Sequence, residues 1–254
     1  MVVCICKKCY NNFCKRIQEM EMLANERKKR IVDYLKINRR ATIEDLLTLM
    51  DCSISTLRRD LNELEKEKSL RRVHGGAELT QDLSEELSIS EKTSKNIQEK
   101  EEIAQIALSK IKDGDIVFLD AGTTTGLLAE LINQSHLYLT IVTNSVTHLA
   151  KLTDDRLIVY LLGGRVKKVT DAIIGSQALE QLSAYQFNVA FVGANGFDTK
   201  HGAMTPDHEE AAIKGLAVKQ SQNAYVLADS SKLGQMSFVK FANSEEVELI
   251  TENN

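Results

Sequence analysis

The run Asp120-Ala-Gly-Thr-Thr-Thr-Gly126 contains the residue types of a phosphate-binding loop. It follows the apolar run Ile116–Leu119 and precedes residues at helical spacing, so we expect it to lead from a strand into a helix. Glycine lets a ligand approach the backbone, threonine hydroxyls form hydrogen bonds, and the first amides of a helix attract anions. The sequence therefore predicts a phosphate site at this loop.

Three further apolar runs end in polar or glycine-rich residues, at 143–145 (Thr-Asn-Ser), 163–165 (Gly-Gly-Arg) and 193–196 (Gly-Ala-Asn-Gly). Each of these alone is more often a turn or a helix cap. Ligands collect at the carboxyl ends of parallel strands, so four such ends favour one shared pocket.

Charged candidates follow in residues 205–232. Thr205 before the single proline, Pro206, predicts the start of a helix. Glu210 and Lys214 lie four residues apart on that helix, a spacing that is also typical of a surface ion pair. Lys232 comes just after another apolar run and would meet a phosphate as a point charge.

The elements that must position these residues form an α/β domain, predicted over residues 100–254. Short apolar runs alternate there with helical patterns, which favours a mostly parallel sheet with helices on both faces. The runs are Ile116–Leu119, Leu139–Val142, Leu157–Leu162, Val189–Val192, Ala224–Leu227 and Val247–Ile250. Residues 79–99 are polar, lack a sustained apolar stripe and are predicted to be a partly helical linker.

Charge separates the first part of the chain from the rest. Residues 1–80 hold 17 Lys and Arg against 12 Asp and Glu, whereas the remainder holds 15 against 24. A basic head on an acidic body predicts that only the head meets a polyanion. No apolar run approaches the roughly 18 residues that a membrane span needs, so we expect a cytoplasmic protein.

Residues 1–22 are expected to be a disordered extension or a mis-assigned start. Zinc sites usually pair Cys-x2-Cys units across a structured stretch, which this region lacks. We therefore expect neither a metal nor a cofactor, and a reduced intracellular protein. The cysteines concerned are Cys4, Cys6, Cys9 and Cys14.

Residues 23–78 predict a small winged helix-turn-helix domain. Thr42 and Ser53 are good N-caps, and each precedes apolar residues at helical spacing. Two short helices with a tight turn between them are typical of a helix-turn-helix. The run Ser69–Ala77 indicates a strand and a Gly-Gly turn, so a hairpin directly after the third helix would form the wing.

The predicted third helix buries leucines and leaves hydroxyl and guanidinium groups on its open face. Hydroxyls at a helix start approach phosphates, and arginine binds a guanine edge through two hydrogen bonds. For this helix alone, a solvated and salt-bridged surface is an equally good interpretation, but the adjacent wing favours DNA. The open face carries Ser55, Thr56, Arg58, Arg59 and Asn62, and the wing carries Arg71, Arg72 and His74.

Three signatures, NERKKRIVDYL, SISTLRRDLNELE and LRRVHGGA, occur in an order that resembles the DeoR family of bacterial sugar-metabolism regulators. The resemblance runs from Leu23 to Ile250 and implies a repressor whose effector domain is ribose-5-phosphate-isomerase-like. One departure is Glu67-Lys68-Ser69, where the family usually has a glycine. The DNA contacts implied are Ser53, Ser55, Thr56, Arg58 and Arg59. The effector pocket implied is Asp120, Gly122, Thr123, Thr124, Thr125, Asn144, Gly163, Gly193, Asn195, Glu210, Lys214 and Lys232.

The resemblance further implies a homodimer or homotetramer that leaves double-stranded operator DNA when it binds a sugar phosphate. The runs IVTNSVTHL, YLLGGRV and TPDHEEAAIK look closest to the fructose-operon branch. We therefore favour fructose 1-phosphate as effector, with tagatose 6-phosphate or another ketose phosphate as alternatives. The sign of control, repression or activation, is not readable from the residues.

An enzyme is the alternative from another class. A sugar-phosphate isomerase needs a carboxylate base and a group that stabilises the oxyanion, and Asp120, Glu210 or Asp229 would supply the base. The DNA-binding head argues against it. The P-loop motif G-x-x-x-x-G-K-[ST] and the dinucleotide motif G-x-G-x-x-G are both absent from the sequence.

Overall fold

The computed structural model describes residues 24–35, 38, 40–50, 52–67, 69–79, 83–84 and 86–252. The chain forms two compact units, which divide between residues 81 and 82. The predicted extension 1–22 and its four cysteines lie outside the described residues. Within the described part, no helix is both long and apolar enough to cross a membrane.

The first unit is a winged helix-turn-helix, as predicted. A first helix, α1, covers residues 24–35 and precedes the helix-turn-helix pair and a three-stranded antiparallel sheet of order β1-β3-β2. The elements are β1 (Arg40–Thr42), α2 (Ile43–Met50), α3 (Ile54–Lys66), β2 (Leu70–Val73) and β3 (Gly76–Leu79). Their shared core is built from Ile31, Leu35, Ala41, Leu46, Leu57, Leu61, Leu64, Leu70 and Ala77.

Both predicted N-caps of this unit are confirmed. The Thr42 hydroxyl accepts from the Asp45 amide at 3.1 Å, and the Asp45 carboxylate accepts from the Thr42 amide at 2.9 Å. The Ser53 hydroxyl accepts from the Thr56 amide at 3.1 Å and starts α3. At the other end of α3, Glu67 has φ −75° and ψ −1°, ordinary right-handed values, so the chain turns there without a glycine.

The wing turns on two residues, His74 and Gly75, because Val73 pairs directly with Gly76. Gly75 has φ +81°, a conformation that favours glycine. Gly76 serves a different purpose, since a Cβ on it would lie 2.0 Å from the Ala41 carbonyl oxygen. The first glycine thus makes the turn, and the second lets β3 approach β1.

A parallel sheet of six strands organises the second unit. Its order is β14-β12-β9-β4-β5-β6, and every neighbouring pair is parallel. All six predicted apolar runs contribute to it. The strands are β4 (Ile116–Leu119), β5 (Leu139–Thr143), β6 (Leu157–Leu161), β9 (Phe187–Gly193), β12 (Ser221–Leu227) and β14 (Glu248–Ile250). Shorter strands lie beside it: β7 (Arg165–Lys167), β8 (Ala172–Ile174), β10 (Gly196–Asp198), β11 (Gly202–Thr205) and β13 (Val239–Ala242).

Helices cover both faces of this sheet, which confirms the predicted fold class. On β4, Val117 and Leu119 join the core under α5 and α6, whereas Phe118 joins the core under α8 and α9. This alternation is what a strand buried on both faces requires. The helices are α4 (Ile89–Thr93), α5 (Ile97–Leu108), α6 (Thr123–Gln134), α7 (Val146–Leu149), α8 (Ser176–Ser183) and α9 (His208–Lys219).

The predicted start of α9 is wrong. Thr205 is the last residue of β11 and is fully buried, so it does not cap the helix. Asp207 caps it instead, because its carboxylate accepts from the amides of Glu209 at 2.8 Å and Glu210 at 2.9 Å. A carboxylate is also the better partner for the positive end of the helix dipole.

Candidate functional site

The predicted DNA contacts lie on α3 and on the β2–β3 hairpin of the first unit, where α3 packs against β2. Thr56 is half-buried and the other predicted contacts are exposed. This set is Ser53, Ser55, Arg58, Arg59, Arg71, Arg72 and His74. Exposed hydroxyl and guanidinium donors therefore lie on α3 and on the hairpin that packs beside it.

The arginines of this set differ in how they are held. Arg59 Nε donates to Glu63 Oε1 at 3.1 Å, and Arg71 and Arg72 pair with Glu78 and Asn62. Arg58 has no hydrogen bond or ion pair to any residue that the structure describes. Exposed ion pairs contribute only about 0–1 kcal/mol, so a DNA phosphate or base can displace them. Arg58 needs no such displacement.

Asp60, the acidic member of the Arg-Arg-Asp-Leu run, points inward. It is 3% exposed and receives two hydrogen bonds from Arg27 on α1, through Nε and through Nη2 at 3.1 Å. The hydrogen bond to Asp60 raises the pKa of the Arg27 guanidinium. Sequence reasoning missed Arg27, which fixes α3 against α1 and so positions the arginines beside Asp60.

In the second unit, a buried ion pair lies at the carboxyl end of β4. Asp120 is 1% exposed, and its Oδ2 accepts from Lys214 Nζ of α9 and from the Gly193 amide at 3.0 Å. Burial raises the pKa of the Asp120 carboxyl, and the Lys214 ammonium opposes that shift. Three predicted pocket residues from three elements thus meet at this point.

Several groups hold the loop that follows Asp120. The Ala121 amide donates to Asn144 Oδ1 at 2.8 Å, and Thr125 Oγ1 donates to the Gly122 carbonyl at 3.1 Å. His148 Nε2 lies 3.1 Å from the same carbonyl. Asn144 Oδ1 and Thr125 Oγ1 therefore hold the loop in place, and both atoms are engaged in hydrogen bonds to its backbone.

Thr123 and Thr124 differ from Thr125. Their hydroxyls have no hydrogen bond within the described part of the chain, and Gly122, which precedes α6, gives that helix no side-chain cap. The first amides of α6 and these two hydroxyls therefore lie just after β4 without a side-chain partner among the described residues. This is the donor set that a phosphate requires.

Gly163 and Asn195 serve as turn residues. The Gly163 amide donates to Gln181 Oε1 at 2.9 Å, and Gly163 follows β6, which is two strands away from β4. The Asn195 amide donates to the Met204 carbonyl at 2.9 Å, and its Oδ1 accepts from Thr205 at 3.3 Å. Because the strands are parallel, Gly163 lies at the same carboxyl end of the sheet as Asp120, two strands away from it.

A second charged cluster surrounds Glu210 on α9. Its Oε1 accepts from Thr170 Oγ1 at 2.6 Å and from Lys167 Nζ at 3.0 Å, and Lys167 also contacts Glu86 and Asp207, the latter at 2.9 Å. Burial would raise the pKa of Glu210, but Lys214, Thr170 and Lys167 lower it overall. Sequence reasoning missed Lys167 and Glu86, which no motif marks.

Cations without a carboxylate partner complete this end of the unit. Burial lowers the pKa of Lys92 on α4, and the charges of Lys214 and Lys232 act in the same direction. Neither Lys92 nor Lys232 forms a hydrogen bond or ion pair through its side chain with a described residue. An added anion would relieve this repulsion. Lys92 was not predicted, because it lies in the segment assigned as a linker.

His148 carries a testable pH dependence. Burial lowers its pKa from the usual 6.5 to about 4, so the folded chain keeps it neutral while the unfolded chain takes up a proton below about pH 6.5. Stability is therefore lost as the pH falls through this window, by about 3 kcal/mol between pH 7 and pH 4. When urea unfolding is measured at a series of pH values, His148→Gln should remove this part of the pH dependence of the free energy of unfolding. The same dependence of unfolding free energy on pH in wild type and His148→Gln would contradict the assignment of this loss to His148.

The described residues contain no group of three or more His, Cys, Asp or Glu side chains that would hold a metal ion.

Comparison with known proteins identifies both units. Residues 27–81 match the DeoR-like helix-turn-helix domain, and residues 95–253 match the DeoR C terminal sensor domain. The uncharacterized HTH-type transcriptional regulator FruR of Bacillus subtilis is 42% identical over 91% of each chain. A lactose phosphotransferase system repressor of Staphylococcus epidermidis is 38% identical over 86% of this chain and 88% of its own.

Among solved structures, ribose 5-phosphate isomerase A from Methanocaldococcus jannaschii aligns over 53% of each chain, with a TM-score of 0.39 and 18% identity. The relatives above are named as transcriptional regulators, and an isomerase has no use for a helix-turn-helix domain, so the isomerase alternative is set aside. The chain belongs to the DeoR family of DNA-binding transcription regulators.

Proposed function

We propose that this chain represses a sugar-utilisation operon, and that a phosphorylated sugar releases it from double-stranded operator DNA. In this proposal α3 and the wing bind the operator, and the carboxyl end of the parallel sheet binds the sugar phosphate. The name of the lactose phosphotransferase system repressor supports this assignment. It would act in the cytoplasm, where such an operon lies.

The observation that carries the proposal is a set of unpartnered donors at one end of the second unit. Thr123 and Thr124 begin α6, and Lys92 and Lys232 lie nearby without a carboxylate partner among the described residues. A phosphate dianion would accept from the hydroxyls and helix amides and would neutralise the lysines. An ordinary helix start explains the amides but not the two half-buried lysines.

For the effector we favour fructose 1-phosphate or another ketose phosphate, such as tagatose 6-phosphate. The runs IVTNSVTHL, YLLGGRV and TPDHEEAAIK, which look closest to the fructose-operon branch, support the choice of fructose. Carboxylates suit the hydroxyl-bearing end of such a sugar, because they accept hydrogen bonds from several hydroxyls. Glu210 supplies one near the phosphate loop.

A homodimer or homotetramer would set two recognition helices on an inverted or spaced repeat. The effector must bind the DNA-competent and DNA-incompetent arrangements unequally, or it shifts nothing. A coupling free energy of about 1–3 kcal/mol, roughly 5–150-fold in affinity, is typical of such regulators.

A mobility-shift titration on the DNA upstream of the chain's own coding region tests this proposal. The wild-type protein is titrated alone and then with fructose 1-phosphate, tagatose 6-phosphate, fructose 6-phosphate and inorganic phosphate. We expect a specific complex that at least one ketose phosphate dissociates at concentrations where inorganic phosphate does not. A complex that none of these compounds weakens would overturn the sugar-phosphate assignment, and binding equal to that of unrelated DNA would overturn the operator assignment.

A further inference from the structure

Part of the predicted linker is docked on the second unit. The Leu83 carbonyl accepts from the Phe238 amide at 3.0 Å, and the Ile89 amide donates to the Val169 carbonyl at 2.8 Å. Farther along, Asn96 Nδ2 donates to Asp229 Oδ1 at 2.9 Å. We call residues 83–84 and 86–96 the docked segment. It precedes the sensor domain in sequence, and it lies against the charged end of that domain in the structure.

Within the docked segment, the carboxylate of Glu86 has one oxygen with a hydrogen-bond partner and one without. Its Oε2 pairs with Lys167, whereas Oε1 is buried and has no hydrogen bond. Among the described residues, it is the only buried side-chain oxygen or nitrogen found in this state. Buried polar atoms are nearly always hydrogen-bonded and an unpaired acceptor is costly, so a donor that reached this oxygen after a shift of the surrounding side chains would stabilise it.

The ion pair with Lys167 does not by itself explain why the Glu86 carboxylate is placed in this cluster. Lys167 has two other carboxylate partners, Asp207 Oδ2 at 2.9 Å and Glu210 Oε1 at 3.0 Å, so its charge is compensated without Glu86. Glu86 also lies within electrostatic reach of Lys92, together with Glu210. The unpaired oxygen thus belongs to the charged cluster at the sheet end that we propose as the effector site.

The chemistry of a sugar phosphate says which of its ends would meet this oxygen. A phosphate dianion only accepts hydrogen bonds, so it would repel a carboxylate. A carbon-bound hydroxyl donates, and a bond from it to an ionised acceptor is one of the stronger kinds.

We propose that the side chains around Glu86 shift when a sugar phosphate binds, and that Oε1, which is closed to solvent in the free chain, then accepts a hydrogen bond from a hydroxyl of the ligand. The docked segment then forms part of the effector site, and Glu86 selects for the hydroxyl end of the ligand while the α6 loop selects for its phosphate. This inference rests on the proposed sugar-phosphate function. It adds a ligand contact in the segment of chain that directly follows the DNA-binding unit.

Two substitutions test Glu86. Glu86→Leu keeps the approximate volume, removes both oxygens and leaves Lys167 its other two carboxylates. Glu86→Gln lets the amide oxygen stay on Lys167, so that a neutral NH2 group replaces the unpaired acceptor. The full-length proteins are titrated calorimetrically with the ketose phosphate that releases wild type from DNA, and with inorganic phosphate, which has no carbon-bound hydroxyl.

We expect the sugar-phosphate Kd to rise about tenfold or more for Glu86→Leu, the size expected for a lost hydrogen bond to a charged group, and by a smaller factor for Glu86→Gln. The Kd of inorganic phosphate should be unchanged in both. Glu209→Leu is the matched control, since it removes a carboxylate that pairs with the exposed Arg165. It should bind both compounds as wild type does.

Wild-type affinity for the sugar phosphate in Glu86→Gln would overturn the inference, even if Glu86→Leu failed to fold. An equal loss of affinity for both compounds would also overturn it, because Glu86 would then act on the phosphate or on folding. A wild-type protein that binds no sugar phosphate would instead contradict the proposed function itself, so the two failures are distinguishable.

Discussion

Replacing Lys214 by methionine is expected to lower the free energy of unfolding of the second unit by about 3–5 kcal/mol. Methionine retains the apolar stem but removes the ammonium that pairs with Asp120. Both side chains of this pair are at most 4% exposed, so water cannot replace the lost partner. The Gly193 amide would remain as the one hydrogen-bond donor seen to reach Asp120 Oδ2 in the described structure.

Urea unfolding followed by far-ultraviolet circular dichroism measures this loss. The matched control is Arg165→Met, which breaks an exposed pair with Glu209 and should cost at most about 1 kcal/mol. The double variant Asp120→Asn with Lys214→Met should recover part of the stability, since no buried charge remains. Equal stabilities for Lys214→Met and Arg165→Met would contradict the assigned role of the pair.

Replacing Arg58 by alanine is expected to weaken binding to operator DNA by about 10-fold to 100-fold, if its guanidinium binds a base edge. Arg58 is exposed on α3 and free of described internal partners, so the substitution removes no folding contact. Stabilisation of the protein by a sugar phosphate should be unaffected, because the two sites lie in separate units.

A mobility-shift titration at fixed salt checks this, with operator and unrelated DNA in parallel. Arg30→Ala provides a control of equal charge, because Arg30 is also exposed but pairs with Glu26 on α1. Loss of a base contact lowers the preference of the protein for the operator over unrelated DNA. Loss of a phosphate contact weakens binding to both DNAs alike. Wild-type affinity in Arg58→Ala would show that the contact assignment is wrong.

Most elements were readable from sequence because local chemistry determines them, although the start of α9 was not. Ser53 lies directly before apolar residues at helical spacing, and it caps α3 as expected. The six apolar runs became the six strands because each is buried on both faces or lies at the edge of such a sheet. The Asp120 loop was likewise visible, since its glycine and hydroxyls follow one of these runs.

Tertiary contacts between distant residues were not readable. The docked segment has no apolar stripe and is held by polar contacts such as Asn96 with Asp229, 133 positions apart, so composition alone indicated a linker. No prediction was made for His148, yet its Nε2 lies 3.1 Å from the Gly122 carbonyl oxygen. Thr123, Thr124 and Thr125 are identical in type, and only the fold separates the one that braces the loop from the two whose hydroxyls are free of described partners.

In the proposed mechanism, a phosphate bound at the start of α6 controls whether the first unit stays on DNA. The most direct test is the effector concentration that releases half of the operator complex, compared between wild type and Thr124→Val. Valine has nearly the same shape, and the Thr124 hydroxyl makes no hydrogen bond to a residue that the structure describes. We predict unchanged operator affinity without effector and a half-release concentration about tenfold higher or more. Release of Thr124→Val at the wild-type concentration would contradict the account.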